Sequence, residues 1–214
     1  MRAIGSCPAL AGHRRARAPA LSVAVLLLAA CAGGPPPRPP VVVAPADWQA
    51  QVEQLAALER WTLAGRVAIR TDADAYSASL HWVQDGPRYT LRLTGPLGRG
   101  AVELRGDAAG IVLRTAGDET VTAQDAQELM RTQLGWSLPV AGLRFWVRGI
   151  PDPGLAVDGL VFDATGRLRV LEQTGWRIEV ERYVEAGSYV LPARLILTSS
   201  HASVRMAVNR WTPG

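Results

Sequence analysis

From Trp61 to Trp211 the apolar residues return at every second position in one segment after another, a period that points to antiparallel β-strands. "WTLAGRVAI" puts Trp61, Leu63, Val67 and Ile69 on one face, and "YSASLHW" does the same with Tyr76, Ala78, Leu80 and Trp82. "RYTLRLTG", "GAVELRG" and "GIVLRT" continue the pattern, with Asp-Gly, Gly-Pro, Gly-Asp and Ala-Gly turn signals between segments. Further along, "GLVFD", "RLRVLEQ", "WRIEVERYV", "YVLPARLILTS" and "ASVRMAVNRW" repeat it, the first three separated by Thr165-Gly166 and Thr174-Gly175. A short strand over residues 119–122 brings the count to about eleven, and an antiparallel sheet of that size usually curls. The expected class is therefore mainly β, a barrel or half-barrel.

Helical periodicity interrupts this pattern twice. In "PADWQAQVEQLAALER" Trp48, Val52, Leu55 and Leu58 recur at helical spacing, with Asp47 a candidate N-cap. Between the two sets of strands, "TAQDAQELMRTQLG" opens with Thr122 and Asp125 in a capping-box arrangement, and "LPVAGLRFWVRG" runs from Pro139 to Gly149. These segments are expected over one opening of the sheet. On three consecutive strands, Leu80, Trp82, Leu91, Leu93, Val102 and Leu104 share an apolar face. Seven tryptophans stand against two phenylalanines and four tyrosines; Trp61, Trp82, Trp136, Trp146, Trp176 and Trp211 either pack a core or form a wide cavity wall.

The amino terminus has a different character. Basic residues (Arg2, Arg14, Arg15, Arg17) precede a short apolar run, Leu21 to Ala30, which has the order of a secretory signal peptide and falls well short of the roughly 20 residues that span a bilayer. Leu28-Ala29-Ala30-Cys31 at its end is similar to a bacterial lipobox, in which cleavage leaves the cysteine first and its thiolate makes a thioether to diacylglycerol. The expected organisation is a leader over residues 1–30, a lipidated Cys31 with a proline-rich tether over 31–45, and one folded domain over 46–214. Six prolines among residues 32–45 favour an extended tether, with a reach of roughly 40 Å at about 3.1 Å per residue.

Removing the leader changes the charge argument. The chain has 23 basic residues, all arginine, and 19 acidic ones, with a pI of 9.7 that by itself suggests nucleic acid. Four of those arginines and none of the acids lie in residues 1–30, so 19 basic residues face 19 acidic ones in the mature chain. No nucleic-acid partner is expected. With Cys7 removed and Cys31 modified, no thiol is left for a disulfide, a metal or catalysis. His81 and His201 are the remaining histidines, both in strand patterns, and no nucleophile-elbow, zincin or P-loop spacing occurs. The reading is of a non-enzyme with no catalytic or metal residues and no cofactor.

In order along the chain, "GRVAIR", "HWVQ", "LTGPLGRG", "GWSLPVAGLRFWVRGIPDP", "LEQTGW" and "LPARLILT" with a final Trp211 resemble the LolB family of outer-membrane lipoprotein receptors. The resemblance covers essentially the whole mature chain. It implies an incomplete antiparallel β-barrel with a helical lid over an apolar cavity for acyl chains, for which Leu80, Trp82, Leu91, Leu93, Val102 and Leu104 are the candidate lining. It further implies a monomer, anchored at the periplasmic face of the outer membrane by N-acyl and S-diacylglycerol groups on Cys31. Such a protein takes acylated lipoprotein cargo from a LolA-like periplasmic chaperone and places it among outer-membrane phospholipid, without nucleotide. Ala32 after the lipidated cysteine fits outer-membrane sorting. The alternative is a general lipid-binding or structural envelope lipoprotein with a similar half-barrel.

"LTGPLGRG" carries one more expectation. Gly95-Pro96 and Gly98 break a strand and leave Leu97 at a turn tip, where a stray apolar residue is common. The other reading, which the resemblance favours, is a membrane-insertion loop: Leu97 enters the bilayer surface from a turn shaped by Pro96 and Gly98, with Arg99 on anionic head groups.

Overall fold

The computed structural model describes residues 44–96, 100–107, 109–115, 117, 120–124, 129–130, 132 and 139–214. Cys31, the tether as far as residue 43, Leu97, Gly98, Arg99 and Trp136 lie outside them. Eleven strands form one antiparallel sheet: β1 Arg60–Thr71, β2 Ala75–Asp85, β3 Arg88–Thr94, β4 Val102–Asp107, β5 Gly110–Arg114, β6 Thr120–Ala123, β7 Val157–Phe162, β8 Leu168–Gln173, β9 Trp176–Ala186, β10 Tyr189–Thr198 and β11 Ala202–Pro213. Two helices accompany it, α1 Trp48–Ala56 and α2 Val140–Trp146, and Leu129, Met130 and Thr132 are also helical.

The strand order is β6-β5-β4-β3-β2-β1-β11-β10-β9-β8-β7. The chain thus enters near the middle of the sheet and meanders out to β6, then restarts at the opposite edge and meanders back until β11 pairs with β1. Strands β6 and β7 are not paired with each other, so the sheet is an open half-barrel. The chain between those two edges carries α2, which packs into the same core as the strands.

One departure from simple alternation positions the inner face. On β11, Val204, Met206 and Val208 are buried, yet so is Trp211. Asn209 is an extra residue there, since Ala64 pairs with Arg210 and Gly65 with Val208, and this bulge turns Trp211 inward. Gly65 permits the local approach: a Cβ at that position would lie 2.3 Å from the Ala207 carbonyl oxygen.

The helical expectations need two corrections. Asp47 occupies the N-cap of α1, but its side chain caps no backbone amide and instead accepts from Gln51 Nε2 at 2.9 Å. Thr122 is no helix cap, because it lies in β6 opposite Val112, where the ladder uses its main chain; its partner Asp125 lies outside the described residues. His201 precedes β11 in a turn, and His81 is on the exposed face of β2.

Candidate functional site

All six residues of the apolar face come together. Leu80 and Trp82 on β2, Leu91 and Leu93 on β3, and Val102 and Leu104 on β4 line one cavity on the inner side of the sheet. Register explains the convergence, since Leu80 stands opposite Leu93, Trp82 opposite Leu91, Leu91 opposite Leu104 and Leu93 opposite Val102. Opposed residues on one pleated face point the same way.

The sheet also contributes Val67, Ile69, Leu113, Val204 and Met206, while Met130, Val140 and Leu143 roof the space. Every described lining residue is apolar. The cavity volume is about 40 Å³, with helix side chains close against the sheet. Val204 and Met206 of β11 were missing from the sequence reading because their place beside β1 depends on pairing the two ends of the chain. Their alternation was visible; their neighbours were not.

A buried arginine fixes one side of the roof. Arg148, just beyond α2, is only 5% exposed and donates to the main-chain oxygens of Leu55, Ala56 and Leu58 at the end of α1, at 2.6, 3.3 and 2.9 Å. Burial, and then the neighbouring charge of Arg144, push its pKa down to about 10, which still leaves it cationic at neutral pH. At the other side of α2, Trp146 Nε1 donates to Gln173 Oε1 at 2.8 Å, and the same oxygen accepts from the Asp152 amide at 3.0 Å. Gln173 Nε2 returns two bonds to the Asp152 and Leu155 carbonyls. Both buried polar side chains are therefore satisfied by backbone or tryptophan and hold α2 to the body of the protein.

The tryptophans mostly pack rather than line. Trp61 sits between Trp82 and Trp211, with ring centroids 5.1 and 5.2 Å away, and Trp48 meets Phe162 edge-on at 4.9 Å. Of the described tryptophans only Trp82 faces the cavity, where Gln84 satisfies its indole nitrogen at 3.0 Å. Aromatic rings with a polar edge are placed where that edge finds a partner, and an apolar cavity offers none.

Pro96 is exposed two residues beyond β3; Leu97, Gly98 and Arg99, expected at the turn tip, lie outside the described residues. Among the described residues no group of three or more histidine, cysteine, aspartate or glutamate side chains is gathered to hold a metal.

An open antiparallel sheet with helices across a wholly apolar cavity defines a carrier-type half-barrel, built around surface that water does not wet. The family model described as "Outer membrane lipoprotein LolB" matches residues 59–211. The chain is 40% identical over 167 residues to the outer-membrane lipoprotein LolB of Halorhodospira halophila, spanning 78% of this chain and 82% of that protein. It is 42% identical over 166 residues to LolB of Pseudomonas aeruginosa strain LESB58, spanning 78% and 80%. The chain belongs to the LolB family of outer-membrane lipoproteins.

Proposed function

We propose that the cavity beneath α2 holds the acyl chains of a lipoprotein in transit, received from a LolA-like periplasmic chaperone and released into the outer membrane. Family membership supports the receptor role in lipoprotein localisation. The observation that carries the acyl-chain reading is the uniformly apolar lining contributed by six neighbouring strands and the helices above them. A fatty chain needs such a wall and no polar partner.

The small volume bears on energetics. Each methylene moved out of water contributes about 0.8 kcal/mol, but an entering chain must first separate Met130, Val140 and Leu143 from the sheet. That cost lowers the net affinity, which suits a protein that must release its cargo. Transfer then needs only a downhill order from chaperone to receptor to bilayer, with no nucleotide or other cofactor. Cys31, carrying acyl groups of its own, holds the protein at the membrane where release occurs, and the Leu97 turn touches the bilayer.

The test uses the mature chain from residue 31 carrying Cys31→Ala, so that no anchor complicates binding. An apolar fluorescent probe should bind and be displaced by an acylated peptide but not by the unacylated one. Loss of a labelled lipoprotein from LolA to this chain, and then to liposomes, completes the sequence. Displacement by the unacylated peptide, or no acceptance from LolA, would overturn the reading.

A further inference from the structure

The opposite face of the same sheet carries a second feature. Across β9, β10, β11, β1 and β2 the outward residues form a groove with a volume of about 1190 Å³. Its floor is made of small side chains, among them Ala68, Ser77, Ser79 and Ala207. Three arginines surround Ala207. Arg66 on β1 and Arg194 on β10 stand directly opposite it on either side, and Arg205 lies two residues earlier on β11 with the same outward direction. Strands lie about 4.8 Å apart, so Arg66 and Arg194 rise roughly 10 Å from each other with the alanine between them.

Their charge is poorly compensated. Glu181 reaches Arg194 only at 3.9 Å, and among the described residues no carboxylate pairs with Arg66 or Arg205. An adjoining groove, sharing Ser79 and Thr94, adds Arg210, also without an acidic partner there, and Arg92, which Glu103 engages. Against Arg66, Arg194 and Arg205 the groove lining sets one carboxylate, Glu181, so this face holds a local excess of positive charge. Guanidinium groups present donors that match phosphate oxygens.

We infer that this outer groove binds the phosphodiester head group of an anionic phospholipid at the bilayer surface, with Arg66, Arg194 and Arg205 gathered on the phosphate above Ala207. Two observations favour lipid over an acidic protein. The chain is an outer-membrane lipoprotein, so the bilayer is its permanent neighbour. Gly95 and Pro96, which lead into the turn proposed to touch the membrane, line one end of the groove. The inference rests on the membrane placement and is independent of the acyl cavity, which lies on the other face.

The experiment is vesicle flotation of the mature chain from residue 31 carrying Cys31→Ala. Vesicles are phosphatidylcholine alone or an equal mixture with phosphatidylglycerol. Binding should be stronger to the mixture and weaken with salt. In the double variant Arg66→Gln/Arg205→Gln the apparent affinity for the mixture should fall about 25-fold, about fivefold for each arginine near an anionic surface, with binding to phosphatidylcholine unchanged. Ala207→Glu, which places a carboxylate among the three arginines, should lose the same preference without removing any of them. Uptake of an acylated peptide should be unchanged in both, which separates failure here from failure of the cavity reading. Equal binding to the two vesicle types, or undiminished preference in both variants, overturns the inference. Release of the protein by inorganic phosphate at the lipid's own phosphate concentration also overturns it, as a site for any phosphate. So does normal flotation of both variants combined with lost acceptance from LolA, which would assign the face to a protein partner.

Discussion

Arg148 donates to the main-chain oxygen of Leu58 at 2.9 Å, joining two residues 90 positions apart in sequence. The contact places a cation at the carboxyl end of α1, where the helix dipole is negative and the last carbonyls lack helical partners. Phe145 lies 5.2 Å from the guanidinium and screens it from water on one side. Arg148→Met should therefore destabilise the protein by about 1.5–3 kcal/mol, the range for hydrogen bonds to a charged group. Arg148→Lys should fall between, because an ammonium can replace Nη1 at the α1 carbonyls but not also Nε, which donates to the Arg144 main-chain oxygen at 2.9 Å. Urea denaturation with matched slopes measures both.

Leu91, Leu93 and Val102 are the partly buried members of the cavity lining, packed against the core without being sealed in it. An arginine in place of either leucine puts a charge where an acyl chain would lie, and a desolvated charge costs several kcal/mol. Leu91→Arg or Leu93→Arg should bind the apolar probe at least about tenfold more weakly, with circular dichroism and melting close to the parent. A folded variant with unchanged binding would remove these side chains from the acyl site.

Leu97→Glu is expected to separate the two halves of transfer. A carboxylate resists entry into the membrane interface, while the cavity proposed to accept cargo lies on the inner face of the sheet. In a two-stage assay, uptake from LolA should proceed at the parent rate and release to liposomes should slow by an order of magnitude or so. Normal release would make Leu97 an ordinary turn residue.

Cys31→Ala should abolish membrane attachment, since it removes the only nucleophile for the thioether. Fractionation should find the protein uncleaved or outside the outer membrane, and mass spectrometry of the parent should find Cys31 acylated. An unmodified Cys31 in the mature parent would sink the anchor.

Acid should weaken the β3–β4 ladder through Glu103. A hydrogen bond from Arg92, opposed by partial burial and assisted by the charge of Arg105, holds its carboxyl below the ordinary value. The unfolded chain therefore takes up the proton first as pH falls past about 4.3. The stabilisation is complete above that value and disappears as pH falls through the lower, folded one. In melting curves taken from neutral to acid, Glu103→Gln should flatten this acid limb and leave the neutral region without slope.

What the sequence determined by itself was local or additive. Alternation in "YSASLHW" and "RYTLRLTG" defined which side chains of β2 and β3 share a face, because successive residues of a strand must point to opposite sides. Antiparallel neighbours consecutive in sequence then made the six cavity residues of β2, β3 and β4 converge, so that part of the site was legible before any pairing was known. Only the tertiary structure decided the remainder. The pairing of β1 with β11 brings Val67 and Ile69 beside Val204 and Met206 across the whole length of the domain, and no local signal specifies such a partner. The bulge at Asn209 that turns Trp211 inward and the burial of Arg148 against α1 arise in the same way. Each depends on which distant surface is present to be covered, and a free energy shared between remote segments leaves no periodic trace in either one.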